Sequence, residues 1–289
     1  MRVLASTLIL ATAVTPATAQ NAVDWLGVDG FEFASPATVM RFTDLDLRDP
    51  HVFLPISVPP FPTVCFDFTD TPIPTTTVSF NGNIQASYDG DSNPADGFLD
   101  ASSLLWFRPL LQDGRSARVD NGAADCLAPT PTSGCAPSST ATPSAYRYAA
   151  FSSGTCLAPL PGTIGSPAYS PAIASATGTC FVTAPRTFVF DNGGTPITLI
   201  DAQIAATFNA TPATALSNGL LRGFLRESDA NQIVISDPAL PGGSVTLASL
   251  LAGGSGSCSS RNDRDIHAGE TGWWFYFNFQ AATVTYTGP

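Results

Sequence analysis

The sequence predicts a mostly β protein: an antiparallel β-sandwich or two β lobes with a disulfide-stapled irregular insert and one or two short helices. Three observations lead there. Apolar and polar residues alternate with period two in several stretches, the mark of strands with two unlike faces. The 24 Gly and 25 Pro residues interrupt the chain too often for long helices. Six cysteines, an even number, suit a cross-linked fold of short elements.

Residues 1–19 have the pattern of a signal peptide: Arg2, an apolar run from Val3 to Val14, and Ala17-Thr18-Ala19 as the cleavage site. The run is too short for a membrane anchor, so the expected product is secreted or periplasmic, with no stable membrane insertion. The Pro- and Cys-rich middle of the chain suits neither lipid-facing strands nor tight turns. All 12 basic residues are Arg, against 23 acidic ones, for a net charge of -11. That balance repels nucleic acid and anionic lipid, leaving a glycan or an extracellular protein as the expected partner. With no lysine in the chain, Schiff-base chemistry, a Ser-Lys dyad and a P-loop are excluded.

Residues 20–125 form the N-terminal β segment. Val78 to Tyr88 alternates over its whole length and predicts a strand, and Val64, Phe66 and Phe68 predict a shorter one with Cys65 and Asp67 on its other face. Residues 126–180 are rich in Pro, Ser and Thr, nearly free of charge, and hold four of the six cysteines, so they read as the stapled insert. Short-range closure favours Cys126 with Cys135 and Cys156 with Cys180, leaving Cys65 to join Cys258. Six cysteines allow 15 connectivities, so the pairing is a preference.

Residues 181–289 return to strands. Ile200 to Asn209 alternates, and Ile84-Gln85-Ala86-Ser87-Tyr88-Asp89 resembles Ile204-Ala205-Ala206-Thr207-Phe208-Asn209, a pattern that an internal duplication would leave. Leu216, Leu220, Leu221, Phe224 and Leu225 have helical spacing, and a second short helix is expected from a Ser244 cap through Leu251 to Gly253-Gly254.

Three stretches carry residues suited to chemistry. In the loop from Asp89 to Asp100, Asp89, Asp91, Asn93 and Asp100 occupy positions 1, 3, 5 and 12 of an EF-hand-type loop, which makes calcium the candidate cofactor. Pro94 in place of the turn glycine, Asp100 in place of Glu and the expected strand before it are departures, and a hydrogen-bonded turn is the competing reading. Both histidines occur as Arg-Asp-x-His: Arg48-Asp49-Pro50-His51 and Arg264-Asp265-Ile266-His267. A hydrolase would use His267 or His51 as base with Asp263, Asp265 or Glu270 as acid or orienting group. Third, Gly272 to Gln280 is the most aromatic stretch. Trp273, Phe275, Phe277 and Phe279 belong to one face, and Trp274, Tyr276 and Asn278 to the other, where they are the candidate ligand-binding residues.

No nucleophile elbow or zinc-binding helix motif occurs, and two histidines beside oxidised cysteines leave few soft metal ligands. The function expected is therefore a secreted, non-enzymatic binding or cell-surface protein, calcium-stabilised if the acidic loop holds the ion. The alternatives are an extracellular carboxylate-dependent hydrolase acting on polysaccharide and a carrier of apolar ligands.

Overall fold

The computed structural model describes residues 37–57, 60, 62–73, 79–128, 134–139, 142–165, 170–192, 195–236 and 243–287. The signal-peptide reading of residues 1–19 lies outside them. The chain begins with β1 (Thr38–Asp49), the hairpin of β2 (Phe53–Ile56) and β3 (Val64–Asp67), α1 (Phe80–Asp89), β4 (Ser103–Arg108) and β5 (Ser116–Cys126). Next come β6 (Cys135–Pro137), β7 (Ser144–Phe151), β8 (Thr155–Leu157), β9 (Ala176–Thr177) and β10 (Cys180–Thr183). The last third holds β11 (Arg186–Asn192), β12 (Thr195–Phe208), β13 (Ala215–Arg226), α2 (Glu227–Ala230), β14 (Val234–Ser236), β15 (Ser244–Thr246), α3 (Leu247–Leu250), β16 (Asp265–His267) and β17 (Glu270–Thr283).

Among the described residues, eight strands close into an antiparallel barrel: β1, β4, β5, β7, β10, β12, β13 and β17 neighbour one another in chain order, and β17 returns to β1. The closing pair runs from Met40 opposite Thr283 to Asp49 opposite Tyr276. The predicted β class holds, but the closure is a barrel and not a sandwich, because β1 and β17 pair edge to edge where a sandwich would leave two sheets. β7 and β10, from the cysteine-rich segment, are staves of the same barrel.

The barrel interior is filled by aromatic side chains. Phe107 meets Tyr148 and Phe181 edge-on, with ring centroids 5.3 Å and 5.1 Å away, and Phe42 stacks on Phe279 at 4.4 Å. The outer face is also apolar in two places, and each is covered by chain from outside the barrel. Val39, Leu104 and Trp106 lie under Leu99 and the Cys126–Cys135 bridge, while Leu220, Phe224, Trp274 and Tyr276 lie under Leu157 and Ala176.

The three preferred disulfides are present: Cys65–Cys258, Cys126–Cys135 and Cys156–Cys180. Three such bonds place the folded chain in an oxidising environment. Among the described residues no helix is long and apolar enough to cross a membrane.

Three local expectations are corrected. Of the stretch read as a strand from Val78 to Tyr88, Phe80 to Tyr88 belong to helix α1, capped by Ser79, whose Oγ accepts from Gly82 N at 3.0 Å, and Val78 lies outside the described residues. Its buried residues Asn81, Ile84 and Tyr88 follow helical spacing, and an i, i+4 pair such as Ile84 and Tyr88 fits either period. The resemblance between Ile84–Asp89 and Ile204–Asn209 is thus no structural repeat, since one is helix and the other strand and loop. The predicted helix over Leu216 to Leu225 is strand β13: Leu221 and Leu225 belong to the main core while Leu220 and Phe224 lie under the outer cover, so burial on both faces erased the alternation. The second short helix exists as α3, but Thr246 caps it instead of Ser244, accepting from Ser249 N at 3.3 Å.

Candidate functional site

The outer aromatic face of β17 is a docking floor inside the fold, which corrects its reading as a binding face. A strand apolar on both sides needs a second layer, and Leu157, Leu160, Ile173 and Ala176 supply it. The Tyr276 hydroxyl accepts from Leu160 N at 3.1 Å and bonds the Thr163 hydroxyl, and burial pushes the phenol pKa up. Asn278 exchanges both hydrogen bonds with Ala174, Nδ2 donating to its carbonyl at 3.0 Å and Oδ1 accepting from its N–H at 2.8 Å. Trp274, Tyr276 and Asn278 therefore pack against and bond the excursion.

His51 lies in a buried polar pocket beside the β2–β3 hairpin. Its Nδ1 is 2.5 Å from Asp67 Oδ2, and the other oxygen of Asp67 accepts from the N–H and hydroxyl of Thr69 at 3.1 Å and 2.8 Å. The hydroxyl of Thr69 in turn accepts from Val52 N, so the pair is locked to the backbone on either side of His51. Burial raises the Asp67 pKa, but the bonds from His51 and Thr69 outweigh it and the net shift is downward. Asp49, two residues before His51 in the Arg-Asp-x-His tetrapeptide, accepts from Gly165 N at 3.2 Å.

Asp263 is also found at this pocket and not at His267. Burial raises its carboxyl above the usual range, with Arg261 and His51 opposing, and its buried Oδ2 has no hydrogen-bond partner. Arg261 donates to the Gly165 carbonyl at 2.5 Å and reaches Asp263 at 3.5 Å. Gly165 is required here because a Cβ would sit 2.4 Å from the Asp263 carboxyl carbon. With His51 buried, this pocket acts as a structural joint between hairpin, excursion and barrel.

His267 is on the surface. Its Nε2 is 2.6 Å from Asp201 Oδ2, and its ring rests on Trp274 and Phe224 with centroids 4.8 Å and 5.2 Å away. Asp201 adopts φ 49° beside a bulge in the β12–β13 pairing, a conformation Asp tolerates better than most side chains. Neither Glu270 nor Asp265 is the partner the sequence suggested. Glu270 pairs with His267 through the backbone across the Ala268-Gly269 turn, both of whose residues have positive φ, and its side chain is exposed. Asp265 is held above the usual carboxylate range by burial, with the backbone N–H of Trp274 opposing. Asp201 and Asp67, which sequence reasoning missed as imidazole partners, sit 66 and 16 residues from their histidines, so only strand register brings them together.

The acidic loop is a web of internal bonds. Asp100 Oδ1 accepts from the N–H and hydroxyl of Ser92 at 2.9 Å and 2.7 Å, and Asp89 accepts from Gln85 at 2.7 Å. Asn93 donates to Asp96 at 2.8 Å, while Asp91 Oδ1 has no partner. The element entering the loop is helix α1, not the strand expected from the sequence. Among the described residues no three metal-binding side chains converge.

The chain was compared with protein-family models, with curated proteins and with solved structures, and none matches it.

Proposed function

We propose that this is an exported, non-enzymatic binding protein that engages an extracellular protein through the tip of the β16–β17 hairpin. The observation that carries the reading is Ile266, a large apolar side chain 79% exposed on a two-residue hairpin. Ile266 is the most exposed of the large apolar side chains among the described residues, so a partner that covers it removes the most apolar surface from water, and it is held rigidly by its neighbours. On one side His267 is pinned between Asp201 and Trp274; on the other Asp265 pairs with Gly272. A protein partner is favoured over a glycan because the aromatic face suited to sugar stacking is buried.

The disulfides support export. A soluble barrel is supported by the outward, exposed Arg118 and Arg147 beside the inward Tyr146 and Tyr148, the reverse of a lipid-facing barrel. The aromatic interior weighs against a carrier of apolar ligands.

The test is titration of labelled mature protein onto the surface of the cells that export it. Saturable binding that weakens about tenfold or more in Ile266→Asp supports the reading. Equal binding by wild type and variant sinks it. The hydrolase reading keeps one specific observation, the His267–Asp201 contact of 2.6 Å, and predicts polysaccharide turnover that His267→Ala abolishes.

A further inference from the structure

The three disulfides differ in how they meet solvent. Cys126, Cys135 and Cys180 are fully buried, and Cys156 is half-buried in the outer apolar layer with Leu157 and Trp274. Cys65 is exposed on β3, and its partner Cys258 is half-buried in the loop before β16. Thiol–disulfide exchange requires a thiolate to reach one sulfur in line with the bond, so exposure decides which disulfide reacts while the fold is intact.

The exposed bond also has a particular position. Cys65 stands two residues before Asp67, and Cys258 three and five residues before Arg261 and Asp263. It ties together the two segments whose side chains meet at the His51 pocket. Among the described residues the β2–β3 hairpin has no ladder of its own to the barrel, since it forms a separate two-stranded sheet. Without the bond, the Cys65 side of the pocket is held by His51–Asp67, Thr69–Val52 and the Phe68 N to Val52 O bond. The Cys258 side keeps Arg261–Gly165 and Asp263 N to Ala252 O.

We propose that Cys65–Cys258 is a thiol-exchange site at which an external dithiol reductant acts on the folded protein, and that opening it loosens the His51 pocket while the barrel stays closed. One thiolate of the reductant attacks Sγ of Cys65, and Cys258 leaves as a thiolate that takes up a proton. The second thiol of the reductant then displaces Cys65 from the mixed disulfide. The protein gains two thiols, and the reductant, oxidised by two electrons, departs as a disulfide with the loss of two protons.

The experiment uses dithiothreitol on the oxidised, folded protein without denaturant, with alkylation of new thiols and peptide mass spectrometry. Cys65 and Cys258 are expected to label at a dose more than about tenfold below that which exposes any other cysteine, because only their bond has an exposed sulfur, while Cys126–Cys135 is buried at both ends and Cys156–Cys180 has one buried and one half-buried sulfur. Opening of either other pair at the same or lower dose overturns the assignment, as does loss of all three only with unfolding. Amide hydrogen exchange on the selectively reduced protein tests the second half. Faster exchange over residues 64–67 and 258–263 with unchanged β12, β13 and β17 agrees with it, and unchanged exchange in the pocket refutes it. A Cys65→Ser, Cys258→Ser variant that folds should show that exchange pattern without reductant; an oxidised-like pattern refutes the loosening, and if the variant does not fold the reduced wild type decides.

Discussion

His51 Nδ1 and Asp67 Oδ2, 2.5 Å apart, join the chain leaving β1 to strand β3, and Asp263 faces the same imidazole from the loop before β16. The two carboxylates are shifted in opposite directions, so they leave opposite marks on stability.

Asp67 titrates lower in the folded protein than its ordinary 3.8, so its contribution is present above that value and is lost as pH falls through the folded pKa. Asp67→Asn should cost about 1–2 kcal/mol at pH 7, allowing for the residue's partial exposure, and progressively less below pH 4. Asp263 titrates higher, so the folded state is favoured while it is protonated, and this advantage is lost as pH rises through its folded pKa. Asp263→Asn should therefore gain stability relative to wild type as pH rises from about 4 to 7. Urea midpoints for the three proteins at pH 7, at pH 4 and at about pH 2 check both signs.

Phe107 is the hub of the barrel interior, touching Tyr148, Phe181 and Phe208. Phe107→Ala should lower stability by about 3–5 kcal/mol and open an apolar cavity. Benzene should raise the melting temperature of the variant and leave wild type unchanged. An apolar ligand that binds wild type with high affinity would favour the carrier reading over the binding protein.

Ser79→Ala removes the acceptor of the Gly82 N–H at the start of α1, at an expected cost of about 1 kcal/mol by chemical denaturation. Ser79→Asp should restore most of that, because an aspartate caps equally well and faces the positive end of the helix.

Melting curves in calcium and in EGTA should superimpose, since Asp89, Asp96 and Asp100 already accept hydrogen bonds within the loop. A rise in midpoint with calcium that Asp91→Ala abolishes would make the loop a metal site. Asp100→Ala should cost up to about 1 kcal/mol with or without the ion.

The β class, β3, β12, β17 and the two local cross-links were legible in the sequence, because each rests on local alternation or on short loop closure; Cys65–Cys258, 193 residues apart, followed only as the pair left over. Barrel closure was not legible: nothing local in β1 says that Met40 will face Thr283. Nor was the outer layer, whose effect on β13 was to place leucines on both faces and imitate a helix. The same layer took Trp274 and Tyr276 out of reach, since one strand's composition does not reveal what lies over it. The histidines were found but paired with the wrong acids, because Arg-Asp-x-His is adjacency along the chain, whereas Asp67 and Asp201 are adjacent in space.

The seam between β1 and β17 also sets a time order. A chain made only as far as β13 has strands β1, β4, β5, β7, β10, β12 and β13 in sequence, with β1 and β13 as two bare edges that have no partner until Glu270–Thr283 arrives. Unpaired edges of that kind recruit other chains. Until Glu270–Thr283 is in place, the edges of β1 and β13 stay open to pairing with other chains, so the chain's exposure to aggregation lasts until that strand closes the barrel.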